Sequence, residues 1–485
     1  MNVSRLILGV LVVGLFSKCE KDVHSGGTEP YNVALSGDTY HDLEENPFVQ
    51  VSEQPISTFS IDADGASYAN VRRFIQQDNQ RPPIGAVRTE ELINYFNLDY
   101  TYSDPTHPIA LNGEVSQCPW NTSNKLIRIG IKGKPIPENE LPPSNFVFLI
   151  DVSGSMGSED KLELLKSGFK LLVDELSSED RVAIVTYAGS AGIALESTSG
   201  DNKTAIKKAI DGLGSGGSTA GAEGIITAYE IAQENFIDGG NNRIILGSDG
   251  DFNVGPSSKE ELITLIEEKR DFGIYITVLG VGRGNLNDAS LEQIANNGNG
   301  TYEYIDNIEQ LRKVFIYDYS KFFTVAKDAK VQVEFNLDNV EAYRLIGYEN
   351  RLLNQEEFED DNTDAGEIGA NQNITALYEI IPKENANFKT IPTFNIGFRY
   401  KNPDSDNSIP LTLDIFDEGK TFSEATEFMQ FTASIASFSM LITNSLYKGT
   451  SNYDDVINWI DQTSLSDEHN FKAAYRGMVI EAKAL

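Results

Sequence analysis

The chain has 485 residues, enough for several domains and ample core. Its formal net charge of −34, from 39 basic and 73 acidic residues, argues against nucleic acid as a partner, because phosphate binding needs clustered Lys and Arg. With only Cys19 and Cys118 it is not a disulfide scaffold, and His24, His41, His107 and His469 are scattered without catalytic or zinc spacing.

Arg5 precedes the apolar run Leu6–Phe16, which is too short to span a membrane comfortably, and Ser17, Lys18 and Cys19 follow. This start resembles a bacterial lipoprotein signal, with Lys18 standing where a small residue is usual. Cys19 through Asp22 resembles the acidic opening of surface-exported lipoproteins of the Bacteroidetes. The resemblance implies that residues 1–19 are a signal peptide, that Cys19 is lipidated and anchors the chain to a membrane, and that Cys118 has no disulfide partner. The expected location is the bacterial cell envelope, as an outer-membrane or cell-surface lipoprotein; the alternative is a periplasmic or secreted protein. Residues 20–46 are polar, contain Gly and lack periodicity, as in a flexible tether.

Residues 47–143 form a smaller region. Val71, Phe74 and Ile75 predict a helix after Ser67 and Tyr68, and Val87, Leu92, Ile93 and Phe96 a second after Pro82 and Pro83. Leu126–Ile131 alternates like a strand. Asp62-Ala63-Asp64-Gly65 has two readings. It resembles the opening motif of haloacid-dehalogenase-type phosphatases, which would make Asp62 a nucleophile and Asp64 a general acid around Mg²⁺. The preceding Thr58–Ile61 is short and half polar for that motif, Ala66 replaces the usual Thr or Val, and a turn that caps the next helix is the competing reading.

From 144 to 320, strands and helices alternate. Asn145–Ile150 is an unbroken apolar run, as in a buried parallel strand, and Leu162, Leu165, Phe169, Leu172 and Leu176 follow at helical spacing. Further strands are expected at 182–187, 192–196, 243–249, 274–279 and 301–305. Helices are expected at 203–211, through Ala222 to Ile231, and at 258–270, 288–296 and 307–318. The pattern predicts an α/β, Rossmann-like doubly wound unit, mostly parallel with one antiparallel edge strand at 192–196.

Asp151, Ser153 and Ser155 fall on the turn after the first strand, where open α/β sheets bind ligands. Thr219 closes the Gly-rich stretch 214–219, and Asp249 ends the strand that begins at Arg243. The five positions together resemble the metal-ion-dependent adhesion site of von Willebrand factor A (VWA) domains, with Ser248 where Thr is usual. The resemblance implies that Asp151, Ser153, Ser155, Thr219 and Asp249 hold a divalent cation, Mg²⁺ before Mn²⁺ or Ca²⁺. A small hard cation takes about six oxygens, and few direct carboxylates leave it electrophilic toward an Asp or Glu of a protein partner. The competing role for Asp151 and the serines is a helix N-cap. Asp249, Asp251 and Asn253 do not make an EF-hand, because Val254 replaces the required Gly, and the Gly-rich stretch lacks a phosphate loop's Gly-Lys-Ser/Thr.

Five strand-like runs between 329 and 415 predict an antiparallel β-sandwich-like unit over 321–420, which the Leu126–Ile131 strand would complete by making the VWA segment an insertion. Residues 356–364 read as a solvated acidic loop. Residues 421–485 read as a helical region, with helices at 424–446, 452–461 and 468–484. The stretches 46–51, 57–68, 87–96, 434–447 and 453–457 resemble the bacterial YfbK-type family of VWA proteins. The implied function is non-enzymatic: metal-dependent binding of an acidic protein side chain, in adhesion or complex assembly. The alternatives are a Mg²⁺-dependent phosphohydrolase built on Asp62 and Asp64, and an assembly factor working with an AAA+ ATPase.

Overall fold

The computed structural model describes residues 37–62, 64–103, 105–217, 221–250, 259–384, 386 and 390–485; the expected signal peptide with Cys19 lies outside them, as does Thr219. At the centre is a six-stranded sheet in the order Tyr302–Ile305, Ile274–Val281, Asn241–Ser248, Ser144–Asp151, Arg181–Tyr187, Ala191–Ser199. Every pairing in it is parallel except that of the edge strand Ala191–Ser199. Strand Ser144–Asp151 is buried at all eight positions, which explains its unbroken apolar sequence. Phe146, Phe148 and Ile150 join the core on one face of the sheet, and Val147 and Leu149 join the other. Helices Leu164–Glu175 and Lys203–Asp211 cover the first face, where Phe169 stacks on Phe148 with ring centroids 4.4 Å apart. Helices Gly221–Glu234, Lys259–Asp271 and Asp288–Asn297 cover the second. The predicted helix 307–318 is α-helical over Ile308–Arg312 and continues as a wider π-helical stretch, Lys313–Tyr317.

Around this unit lies a sandwich of two antiparallel sheets. One has the order Val49–Gln50, Val340–Ile346, Asn373–Pro382, Lys125–Gly133, Ile109–Gln117. The other has Leu352–Leu353, Ile56–Ser60, Thr324–Phe335, Phe394–Lys401, Ser408–Ile415, with Gly366–Gly369 also paired to Thr324–Phe335. Both sheets combine strands from before and after the central unit: Lys125–Gly133 pairs with Asn373–Pro382, and Ile56–Ser60 with Thr324–Phe335. The central unit is therefore inserted into the sandwich. Phe59, Val333 and Ile396 from one sheet and Ile127, Tyr343 and Tyr378 from the other share a single core with Phe146, Phe148 and Phe169 of the insert.

Helices Glu427–Ile442, Tyr453–Gln462 and Phe471–Ala484 pack with Ala66–Arg72 and Thr89–Asn94 around a second core of Tyr68, Leu92, Phe96, Phe431, Phe438 and Tyr475. Residues 37–46, expected to belong to a tether, lie against this body. Asp38 pairs with Arg73 at 2.9 Å and accepts the backbone N–H groups of Gly284 and Leu286 at 2.8 and 3.0 Å. The acidic stretch 356–364 lies at the surface, as its composition implies, with none of its residues buried. It opens with a 3₁₀ turn, Gln355–Phe358, and its Asp364 pairs with Arg270 at 2.7 Å.

Candidate metal centre

The first sheet strand, Ser144–Asp151, sends the chain to Arg181–Tyr187 on one side, and a later crossover brings Asn241–Ser248 back on the other. Between these two strands the order reverses, and a crevice opens beyond their carboxyl ends. Asp151 ends one strand and Asp249 follows the other, and both are fully buried.

The turn after Asp151 folds onto its own carboxylate: Ser153 N–H donates to Asp151 Oδ1 at 2.8 Å. Ser153 Oγ and Ser155 Oγ lie 3.0 Å apart, with Ser155 exposed toward solvent. Ser248 Oγ donates to Asp151 Oδ2 at 3.3 Å, linking the two loops. Gly250, at φ +84°, turns the chain sharply after Asp249; a Cβ there would come within 2.8 Å of the Asn287 nitrogen. The Gly-rich loop docks beside them: Gly216 N–H donates to the Val152 carbonyl at 2.7 Å and Gly154 N–H to that of Gly217 at 3.1 Å. Four of the five expected ligands, Asp151, Ser153, Ser155 and Asp249, are thus brought together, and the loop of the fifth, Thr219, is tied to them up to Gly217.

Two contributors carry no mark in the sequence. Lys161 Nζ reaches Asp249 Oδ2 at 3.0 Å, the Ser155 carbonyl at 3.0 Å and Asn285 Oδ1 at 2.7 Å. Asn285 Nδ2 in turn donates to Asp249 Oδ2 at 2.9 Å. Asp38 grips the residues on either side of Asn285, so the amino-terminal segment braces the loop that carries it. These contacts divide the two carboxylates. Burial pushes the Asp151 carboxyl up against the hydrogen bonds of Ser153. At Asp249 burial acts the same way, but hydrogen bonds from Asn285 and Ser155 and the Lys161 ammonium outweigh it and hold the carboxyl below its usual range. The donor set fits a hard divalent cation: two carboxylates and two hydroxyls, all oxygen, with one ammonium limiting the negative charge.

Asp62 and Asp64 lie elsewhere. Asp62 is buried with Oδ1 accepting Asp64 N–H at 2.9 Å and Oδ2 accepting Arg351 Nε at 2.9 Å, so both oxygens are engaged within the fold. Nor does either residue cap the following helix, whose N-cap is Gly65 without a side-chain hydrogen bond.

Family models match over 145–315 (von Willebrand factor type A domain), 34–128 (von Willebrand factor) and 320–485 (Uncharacterized protein YfbK, C-terminal). The fold and the matched segment define a VWA-domain protein. YfbK of Escherichia coli K12 is 40% identical over 460 residues, covering 90% of this chain and 79% of that protein. The chain belongs to the YfbK family. A Synechocystis protein is 30% identical over 194 residues, 40% of this chain and 45% of its own length. Among solved structures, a von Willebrand factor type A protein from Catenulispora acidiphila aligns over 79% of this chain and 97% of its own at 14% identity, with a TM-score of 0.43.

Proposed function

We propose that the protein is a non-catalytic binding protein of the cell envelope that uses a divalent cation, Mg²⁺ by preference, to engage an Asp or Glu of a protein partner. The observation that carries this reading is the convergence of Asp151, Ser153, Ser155 and Asp249 at the switch point of the sheet, with Thr219 two residues beyond the docked Gly217. In this reading Asp151 and Asp249 supply charge, directly or through water, and the hydroxyls supply neutral oxygens. The bound ion offers an open position to the partner's carboxylate. Lys161 keeps the site from being neutralised by the ion alone, so that binding a further anion is favoured. Envelope placement is supported by the sequence around Cys19. Among the described residues no helix is long and apolar enough to cross a membrane. Attachment in this reading is through the acylated amino terminus.

The test is capture of partners from envelope extracts with and without Mg²⁺. Wild-type protein is expected to capture in Mg²⁺ and release in EDTA, and Asp151→Ala and Thr219→Ala to lose capture while melting like the wild type. Capture that survives EDTA and both substitutions defeats the proposal.

A further inference from the structure

Among the described residues the chain begins with Gly37–Tyr40, and this segment runs beside residues 284–287, in the loop between strand Ile274–Val281 and helix Asp288–Asn297. Thr39 forms a parallel bridge to Asn287: its N–H donates to the Leu286 carbonyl at 2.8 Å, and its own carbonyl accepts Asp288 N–H at 3.1 Å. Asp38 Oδ1 accepts both Gly284 N–H and Leu286 N–H, at 2.8 and 3.0 Å. Asp38 Oδ2 meets Arg73 Nη1 at 2.9 Å, and both side chains are buried. Arg73 opens the π-helical turn after helix Ala66–Arg72, so one carboxylate ties that helical layer to the VWA loop. The approach requires glycine on both sides. Gly37 and Gly284 have φ of +81° and +85°, and a Cβ on Gly37 would lie 2.3 Å from the Gly284 carbonyl oxygen.

What the loop carries is Asn285. Its Nδ2 donates to Asp249 Oδ2 at 2.9 Å, and its Oδ1 accepts Lys161 Nζ at 2.7 Å. Asn287 N–H donates to the Asp249 carbonyl at 3.3 Å. The loop therefore holds Asp249 by side chain and by backbone. Gly284 and Leu286 flank Asn285, so Asp38 fixes the chain on both sides of the amide that orients the carboxylate. The loop has little else to hold it. Gly282 and Gly284 sit at positive φ, and Arg283 between them is half-exposed and reaches Asp78 and Asp160 at 3.3 Å, in surface pairs that contribute little.

We infer that, given the metal centre proposed above, Asp38 is a positioning residue of that centre and Gly37–Tyr40 is a strap whose docking sets cation affinity there. Groups that orient a metal ligand through a hydrogen bond govern how tightly the ligand binds. With the strap docked, Asn285 stays on Asp249 and the carboxylate keeps one orientation. With the strap displaced, the loop loses the bonds from Asp38 and Thr39, Asn285 can turn away, and the cation is held less tightly. Such coupling is reciprocal, so a cation at Asp249 in turn tightens the strap. The strap precedes every other described element in the chain, so a pull on the amino terminus reaches it before it reaches the sandwich.

The experiment titrates the full chain with Mg²⁺ by calorimetry, comparing the wild type with Asp38→Ala and Asp38→Asn. Amide exchange over residues 284–288 is followed with and without Mg²⁺. Asp38→Ala removes the acceptor for both N–H groups, and Mg²⁺ affinity is expected to fall about 10-fold, the low end for loss of a group that supports a metal ligand. Asp38→Asn keeps an oxygen for Gly284 and Leu286 but loses the charge opposite Arg73. It is expected to melt at a lower temperature yet bind Mg²⁺ like the wild type, which a merely structural role would not allow. Mg²⁺ is expected to slow exchange over 284–288 in the wild type, and less so in Asp38→Ala. Wild-type affinity in a folded Asp38→Ala protein overturns the inference, as does an equal loss in Asp38→Asn. Exchange over 284–288 that Mg²⁺ leaves unchanged in the wild type also overturns it, whether or not Asp38→Ala folds. No Mg²⁺ uptake by the wild type is a different result: it overturns the metal centre itself, and the strap's role with it.

Discussion

Single residues in this protein are tuned by what is buried beside them. Asp318 shows the sign most clearly. Burial opposes its ionisation, but the ammonium groups of Lys313 and Lys321 outweigh that and hold its carboxyl at about 2, below the ordinary 3.8. A folded pKa below the unfolded one contributes stability above about pH 4 that is lost as pH falls toward 2, up to about 2.4 kcal/mol. Urea unfolding midpoints of Asp318→Asn are therefore expected to fall less steeply than the wild type between about pH 4 and pH 2; parallel profiles would contradict the pairing. The same scale marks the limit of sequence reading. Asp151, Ser153, Ser155 and Asp249 were legible because their spacing relative to two strands fixes where they meet. Lys161 and Asn285 were not, because a Lys early in an amphipathic helix and an Asn in a loop are ordinary surface residues until the fold aims them at Asp249. The turn at Asp62 and Asp64 was misleading for a related reason: its partners Arg351 and Tyr302 lie hundreds of residues away.

Elements follow their sequence patterns closely where burial is one-sided or complete. Helix Glu427–Ile442 is the instructive case, since Thr432, Ser434, Ser437 and Ser439 are polar yet buried. Two satisfy themselves locally: Thr432 Oγ1 donates to the Phe428 carbonyl at 2.8 Å and Ser434 Oγ to that of Phe431 at 2.6 Å. Small hydroxyls can thus line a buried helix, and Phe431, Ile435 and Phe438 fill the core around it. Phe438 meets the rings of Tyr475 and Tyr453 at 5.7 and 6.4 Å. Phe438→Ala is expected to cost about 3–5 kcal/mol in chemical denaturation. A loss under about 1 kcal/mol would mean that the helical layer is not held by this core.

At the level of the whole molecule, the insertion was visible as a strand pattern before the VWA segment that matches those after it, because period-two alternation survives any separation in sequence. The sharing of one core between the sandwich and the insert was not, since periodicity shows which face is apolar but not what covers it. That shared core has a thermodynamic signature. Scanning calorimetry of the full chain is expected to give one cooperative transition with agreeing calorimetric and van't Hoff enthalpies. Two resolved transitions would show that insert and sandwich melt independently.

The insertion also decides how a pull on the VWA domain would be carried. The chain enters the VWA domain at Ser144, at the start of the strand whose far end is Asp151, some seven residues or about 23 Å away. It leaves through Phe322, whose carbonyl accepts from Arg243 at 2.9 Å near the start of the neighbouring strand, and Phe322 packs against Phe146. Both covalent crossings therefore sit at one pole of the domain and the candidate metal centre at the other. A pull applied at the metal centre is divided between two chain crossings in parallel, each anchored in a hydrogen-bonded sheet. The mount resists swivelling and shares tension in a way that a domain hung from a single linker does not.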